Sequence, residues 1–271
     1  MIGNSELAYE FWEKGKSETC PIYDMHGHMG PSSGIYFPRA EADEMIHTMD
    51  GAGVKMLVFS HHNALFIPEH GNCDSIQAVR RYPDRLRAYC VINPAHPEMA
   101  ARELDTYEQY LDVFVGFKFL SDYHKVPITD PGYRPALEYA DAHGLLVLMH
   151  TWGGSPYDGA ALVRPLAERY HNLKFLLGHC CHGEWDEVIR MAREFPNVYL
   201  ELTALFDDCG ILEKFCDEAG SEKMLFGTDL PWFDPHQSVG ALLSAHITDD
   251  DRHNICHRNA EKLLAPFLGQ S

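Results

Sequence analysis

Short apolar runs recur along the whole chain, at 22–28, 54–60, 86–93, 115–120, 145–151, 173–179, 198–203 and 224–229. These eight runs start about every 29 residues. Each is too short for a stable helix and is bounded by Gly, Pro, Asn or Asp, which predicts a buried strand. Between them lie helical patterns over 39–49, 74–81, 97–110, 133–143, 158–170, 184–195, 210–219 and 235–246. The pairs Ala52-Gly53, His143-Gly144 and Ala219-Gly220 supply C-cap signals. Eight strands alternating with eight helices predict a parallel sheet closed into a (β/α)8 TIM barrel. A doubly wound open sheet is the rival, and it carries a Gly-rich phosphate turn after its first strand. Here that turn reads His26-Gly27-His28-Met29-Gly30-Pro31, with imidazoles where a phosphate loop needs bare backbone. Helical stretches at 6–16 and 250–267 are decorations. The expected organisation is a helical extension over 1–21 and one barrel over 22–271.

Length agrees, since 271 residues fit one barrel of roughly 250. A 45% hydrophobic and 23% charged composition belongs to a globular core rather than a disordered chain. Forty acidic against 22 basic residues, a net charge of −18, argue against nucleic acid or an anionic membrane as partner. No apolar run is long enough to span a bilayer. The chain opens with polar residues, and its eight cysteines show no CxxC spacing, so a reducing cytoplasm is the expected location. Seventeen histidines are the anomaly. They turn attention to metal chemistry.

Chemistry in a (β/α)8 barrel sits at the C-terminal ends of the strands. The first run ends Asp24-Met25-His26-Gly27-His28, the fifth in His150, the sixth in His179 and the eighth in Asp229. The fourth carries Lys118. Side chains alternate along a strand, so His26 and His28 share one face. If that face is the interior, these groups converge at one mouth. Any one of them alone is an ordinary loop or turn residue, but their joint placement points to metal binding.

This order of ligand types resembles the amidohydrolase superfamily. Gly116-Phe117-Lys118, Gly178-His179, Gly227-Thr228-Asp229-Leu230-Pro231 and Asn259-Ala260 are similar to its amidohydrolase 2 branch, which holds both hydrolases and decarboxylases. The resemblance spans about 22–264; its motif is specific for the superfamily and poor at naming a substrate. It implies that His26, His28, His150 and Asp229 ligate one divalent ion, with His179 a further ligand or a partner. Three imidazoles and a carboxylate suit Zn2+, with Mn2+, Fe2+ and Ni2+ also compatible. Asp229 would then move a proton, and His179 would orient water or polarise a carbonyl. Lys118 is carbamylated and bridges two metals in binuclear members; in this branch it is more often free and placed to meet a substrate carboxylate. Its neighbours Phe117 and Phe119 suggest an apolar setting that would demand a neutral or paired amine.

Glu201 is expected either to orient a ligand histidine from behind or to be satisfied lower in the barrel. His61 and His62 follow the second run; His61 joins Trp152 and Trp232 as rim candidates, although loop histidines more commonly face solvent. Cys180, Cys181 and His182 are expected to be bystanders. The loops after the strands carry Tyr36, Phe37, Phe66, Tyr123, Trp152, Tyr157, Trp185, Phe206, Trp232 and Phe233, with Arg39, Lys125 and Arg134 the few basic residues near. Such a rim suits a small, partly aromatic substrate. The leading expectation is a metal-dependent hydrolase of an ester, lactone or amide. The alternative is a nonoxidative decarboxylase or hydratase of an unsaturated or aromatic acid. A non-catalytic metal-binding barrel is disfavoured because no ligand is missing. A homodimer would be compatible with this composition.

Overall fold

The computed structural model describes residues 5–205 and 208–269. Eight parallel strands pair in chain order: β1 (Ile22–Met29), β2 (Val54–His61), β3 (Leu86–Val91), β4 (Phe114–Phe119), β5 (Leu146–Trp152), β6 (Lys174–His182), β7 (Val198–Glu201) and β8 (Met224–Leu225). Their apolar side chains are fully buried because both faces of the sheet are covered. Around them run α1 (Glu6–Lys14), α2 (Ala42–Ala52), α3 (Pro68–Arg81), α4 (Pro97–Thr106), the short α5 (Ser121–His124), α6 (Arg134–His143), α7 (Ala160–Arg169), α8 (Trp185–Glu194), α9 (Ile211–Glu218), α10 (Pro235–Ser244), α11 (Asp249–His253) and α12 (Asn259–Leu264). The (β/α)8 barrel predicted from the periodicity is the observed fold.

The eighth strand is shorter than the predicted 224–229. After Leu225 the chain leaves β7 and bonds across to β1, which closes the barrel. Met25 N–H donates to Phe226 C=O at 2.9 Å, Asp229 N–H to His26 C=O at 2.8 Å, and His28 N–H to Leu230 C=O at 2.6 Å. These bonds set Asp229 beside the two histidines of β1.

Alternation along β4 overturns one expectation. Phe117 points outward against Tyr107 and Tyr139, with ring centroids 5.0 and 6.1 Å away, and Phe119 packs on Tyr133 at 4.5 Å. Lys118 takes the opposite, inward face. Its surroundings are therefore the polar groups of the barrel mouth, and the two phenylalanines say nothing about its charge.

The helix expected over 250–267 is also interrupted. Between α11 and α12, Asn254–Arg258 form a π-helical turn. The Ile255 carbonyl accepts from Phe226 N–H at 3.2 Å, and Asn259 Nδ2 donates to the carbonyls of Ser221 and Met224 at 2.8 Å each. The turn widens because the barrel takes up groups that a regular helix would pair internally. At the other end, Ser5 caps α1 by accepting from Ala8 N–H and donates to Asp249 at 2.6 Å, so the first helix docks on α11. Among the described residues, all eight cysteines are unpaired and no helix is long and apolar enough to cross a membrane.

Gly116 lets β4 lie close to β5. Its φ is +156°, and an added Cβ would meet the Leu146 carbonyl oxygen at 1.8 Å. Backbone cannot yield as a side chain can. Gly116→Ala should cost at least about 3 kcal/mol, a fall in Tm of roughly 6–12 °C. An unchanged thermal melt would show that the approach of these strands is looser than described.

Candidate functional site

His26 and His28 leave the end of β1 on the same side, pointing into the barrel mouth. His26 Nδ1 donates to Glu201 Oε2 at 2.6 Å, which turns its Nε2 lone pair inward. His28 Nδ1 is 3.1 Å from Ser60 Oγ, and His150 Nδ1 donates to Asp158 Oδ2 at 2.8 Å. Three imidazoles are thus held from behind by oxygen atoms, the arrangement that orients metal-binding histidines. Asp229 Oδ1 lies 3.2 Å from His26 Nε2 and 3.1 Å from His28 Nε2. That oxygen is buried and receives no well-aligned hydrogen bond.

His179 differs from the other three. Its Nε2 is 4.0 Å from Asp229 Oδ2, and its ring lies 4.8 Å from that of His150. Its Nδ1 is buried with no protein partner. Proximity alone groups His179 with His26 and Asp229, donor atoms within 4.8 Å of one another. The missing support behind its ring sets it apart. Its φ of 64° opens a left-handed run through Cys180 and Cys181. This bulge is pinned by Thr151, whose hydroxyl donates to Gly178 C=O at 2.6 Å and accepts from Cys181 N–H at 2.9 Å.

Electrostatics favour the ligand form of these rings. Burial, reinforced by Lys118, pushes His26 well below its ordinary value, and burial likewise lowers His28. Burial holds His179 down at about 3, against the pull of Asp229. Neutral imidazole is the form that binds metal. Burial alone would raise Asp229, but His26, His28 and His179 together keep its carboxyl well below the ordinary range. Nitrogen lone pairs and an orphaned carboxylate oxygen aimed at one small space fit a divalent cation.

Glu201 stands directly behind His26. Burial pushes its carboxyl up, opposed by Thr203, whose N–H and hydroxyl donate to Oε1 at 2.9 and 2.7 Å. Gly227 must stay bare here, since a Cβ would meet Oε1 at 1.9 Å. Lys118 is buried with Nζ 2.7 Å from His26 Nε2, and burial lowers its pKa. It joins the donor cluster and does not line the cavity above it.

That cavity, about 400 Å³, lies over the cluster. Its wall includes His61, Leu65, Phe66, Leu120, Tyr123, Trp152, Trp232 and Phe233. Tyr36, Phe37, Tyr157, Trp185, Arg39, Lys125 and Arg134 are not among its lining residues, and Phe206 lies outside the described residues. Solvent-facing positions for His61 and His62 are corrected, because both are buried and line the cavity. His62 stacks between His28 and Phe37, donates from Nδ1 to Gly30 C=O at 2.6 Å and accepts from Trp232 Nε1–H at 3.0 Å. Burial, with His28 beside it, lowers it to about 4. Cys180 and Cys181 are buried thiols pushed up by desolvation, Cys181 to about 12, and are poor nucleophiles. Sequence reasoning missed Asp158, Ser60 and Thr151. Ser60 and Thr151 end their runs as ordinary small polar residues with no metal-ligand chemistry, and Asp158 reads as the start of a helix.

The family model described as amidohydrolase matches residues 23–265. No curated protein matches the sequence significantly. Among solved structures, the chain is similar to a dihydroxybenzoic acid decarboxylase from Polaromonas sp. with bound manganese and the inhibitor 2-nitroresorcinol. Identity is 19% over 91% of this chain and 97% of that one, with a TM-score of 0.75. It is similar to the 5-carboxyvanillate decarboxylase of Sphingomonas paucimobilis at 15% identity, 91% and 99% coverage and a TM-score of 0.72. An uncharacterised TIM-barrel protein from Bordetella bronchiseptica gives 20% identity, 92% and 100% coverage and 0.75. Similarity at this level establishes a shared fold.

If the donor cluster holds metal, His26→Ala with His28→Ala should lower bound metal by about one equivalent relative to wild type. Glu201→Gln should weaken binding at the same site by roughly 10–100-fold while the ligands remain. Metal titration of the three proteins checks both; full occupancy in the double variant would remove this site.

Proposed function

This chain belongs to the amidohydrolase family, and on that footing we propose that it is a metal-dependent, nonoxidative decarboxylase of a small aromatic or unsaturated carboxylic acid. One observation carries the reading. The described residues lining the cavity combine aromatic and apolar side chains with histidines and serines and include no Lys or Arg, so the donor cluster at its floor is the anchor for an acid. The solved neighbours named as decarboxylases support this alternative better than the ester, lactone or amide hydrolysis expected first.

His26, His28, His150 and Asp229 would hold the ion, since each of the three rings is braced from behind and Asp229 Oδ1 faces two of them. When bound, the ion supplies positive charge that fixes a carboxylate and draws electron density from it. Nitrogen-rich donors favour Zn2+; the manganese of the Polaromonas structure makes Mn2+ the second candidate. His179, unbraced at Nδ1, turns to the polar edge of the substrate.

Asp229 Oδ2, 4.0 Å from His179 Nε2, is the oxygen that relays the proton. Loss of CO2 consumes one proton: a C–H bond forms at the carbon bearing the carboxylate, then the C–C bond breaks and its electron pair returns to the unsaturated system. Its histidine neighbours keep Asp229 ionised at rest, so it first takes the proton from the incoming acid or from solvent and then, as a strong acid, hands it to carbon. Aromatic walls exclude water and present a face to a planar ring. Lys118 stays free: buried beneath the cavity with its amine 2.7 Å from His26 Nε2, it adds positive charge to the site that anchors the carboxylate.

Asp229→Asn should keep the circular dichroism spectrum of the wild type and lose at least about 10²-fold in turnover. In D2O the wild type should release CO2 from benzoate-like acids and leave deuterium at the vacated carbon. Acid release from lactones or esters without CO2 would return the assignment to hydrolysis.

Lys118→Ala should retain the metal at the mouth and raise KM for the acid, with a smaller change in kcat. Loss of a metal ion together with activity, both restored by added short carboxylic acids, would instead identify a carbamylated bridging lysine.

A further inference from the structure

Trp152 stands on the cavity wall and is 39% exposed, so burial alone does not fix its ring. His182 does. Its imidazole stacks on the indole at 4.6 Å, with 6° between the planes. His182 is held in turn on two sides. Its Nε2–H donates to Asp208 Oδ2 at 2.8 Å, and Trp185, resting on the buried Phe215, meets it edge-on at 4.8 Å. Asp208 comes from the turn ahead of α9, so the stack joins the ends of β5 and β6 to the loop after β7.

The backbone is bent to make this pair. Along the β5–β6 ladder His150 lies opposite Gly178, and regular pairing would then set Trp152 opposite Cys180. Trp152 lies opposite His182 instead, so two steps along β5 match four along β6. The extra length is taken up by the left-handed run through His179, Cys180 and Cys181. Gly153 N–H donates to His182 C=O at 3.1 Å, and this glycine must stay bare, since a Cβ would meet that oxygen at 2.2 Å. Left-handed conformations at residues other than glycine are costly and gather at functional sites. This bulge has two products: it sets His179 at the cluster, and it delivers His182 to the back of Trp152.

We propose that His182, anchored on Asp208, is the positioning residue of Trp152, and that the pair forms a stacking platform selecting an acid with a planar aromatic ring. The inference rests on the acid-binding reading of the cavity and narrows it, because a puckered ring or a short open chain gains little from such a face. His182 covers one side of the indole and leaves the rest of the ring to the cavity. Trp152 also meets His179 at 5.8 Å and 62°, so the platform stands at a fixed angle to the residue assigned to the polar edge of the substrate. An indole free to turn would lose that freedom at each binding event; one already held offers a preformed face.

Benzoate and cyclohexanecarboxylate isolate the effect, since both carry a carboxylate on a six-membered ring and only one is flat. In calorimetric titrations of the whole metal-loaded protein, wild type should bind benzoate more tightly, by roughly 2–10-fold. His182→Ala should remove most of that preference by weakening benzoate alone, and Asp208→Ala should do so to a smaller extent. His182→Phe, which returns a ring to the back of the indole, should restore it. Since His182→Ala could loosen the bulge, Trp152→Ala, which spares β6, supplies a second measurement: it should lose the preference as well, and adding His182→Ala to it should change nothing further. Equal affinity of wild type for the two acids, an unchanged preference in His182→Ala, or full additivity of the two substitutions would each overturn the proposal. A benzoate preference that follows this pattern in a protein releasing no CO2 would support the platform and remove the decarboxylase reading instead.

Discussion

Asp24 is a buried carboxylate that accepts from both strands at the barrel's closing seam. Thr228 donates to it through its hydroxyl at 2.5 Å and its N–H at 3.1 Å, and His26 donates its own N–H at 3.1 Å. One side chain thereby fixes the residue that carries the first ligand and the residue before the last. Burial pushes Asp24 up to about 7, opposed first by the Thr228 hydroxyl. The Thr228 hydroxyl also accepts from Leu230 N–H at 3.0 Å, so the chain beyond Asp229 is held from the same point. If the seam opened, Asp229 would lose its place beside His26 and His28 although every residue of the cluster remained.

The rest of the site is a way of bearing the cost of buried polar groups. Such groups are tolerated only when hydrogen-bonded or paired. Glu201 has two donors from Thr203 and one from His26, His150 has Asp158, and His28 has Ser60. Among the described residues of the site, Asp229 Oδ1, His179 Nδ1 and Asp158 Oδ1 are left without a partner. Asp229 and His179 also sit in the left-handed backbone region, at φ 61° and 64°. Such a conformation costs roughly 1–3 kcal/mol at a residue other than glycine and survives where the surroundings over-determine it. Here the seam determines Asp229 and the Thr151 bonds determine the bulge at His179. Asp229 and His179, the residues assigned to proton transfer and substrate contact, carry both a left-handed backbone and an unpaired buried atom.

Periodicity makes the barrel readable because each strand is buried on both faces and each helix on one. Ligand positions are readable for the same reason, since a pattern that repeats around the sheet gives an ionisable residue at the end of each apolar run a common place, the barrel mouth. The bracing residues are not. Asp158 lies eight positions beyond His150, in a loop whose path only the fold fixes, and Ser60 looks like any small residue closing a strand. His62 reads as exposed from its place after a strand, whereas its partners, Phe37 and Trp232, come from loops far apart in sequence. The π-helical turn is hidden for a related reason. Its cause is a set of bonds to Phe226, Ser221 and Met224, and helical spacing alone carries no trace of them.

The two halves of the cavity wall differ in how freely substrate preference can change. On one side His28 and His62 stack at 5.1 Å, Trp232 hydrogen-bonds His62, and Phe37 backs His62 from behind the wall at 5.5 Å. A substitution at Phe37 or Trp232 therefore acts on His28, and a change made to fit a different substrate would also disturb the donor cluster. On the other side Phe66 is largely exposed and comes from the loop after β2, with no stacking contact to a ligand ring among the described residues. Tyr123 is intermediate, meeting His150 edge-on at 5.3 Å. Evolution of specificity on this barrel is thus steered toward the Phe66 side, where the wall can be rebuilt while the seam, the braced histidines and Asp229 stay as they are.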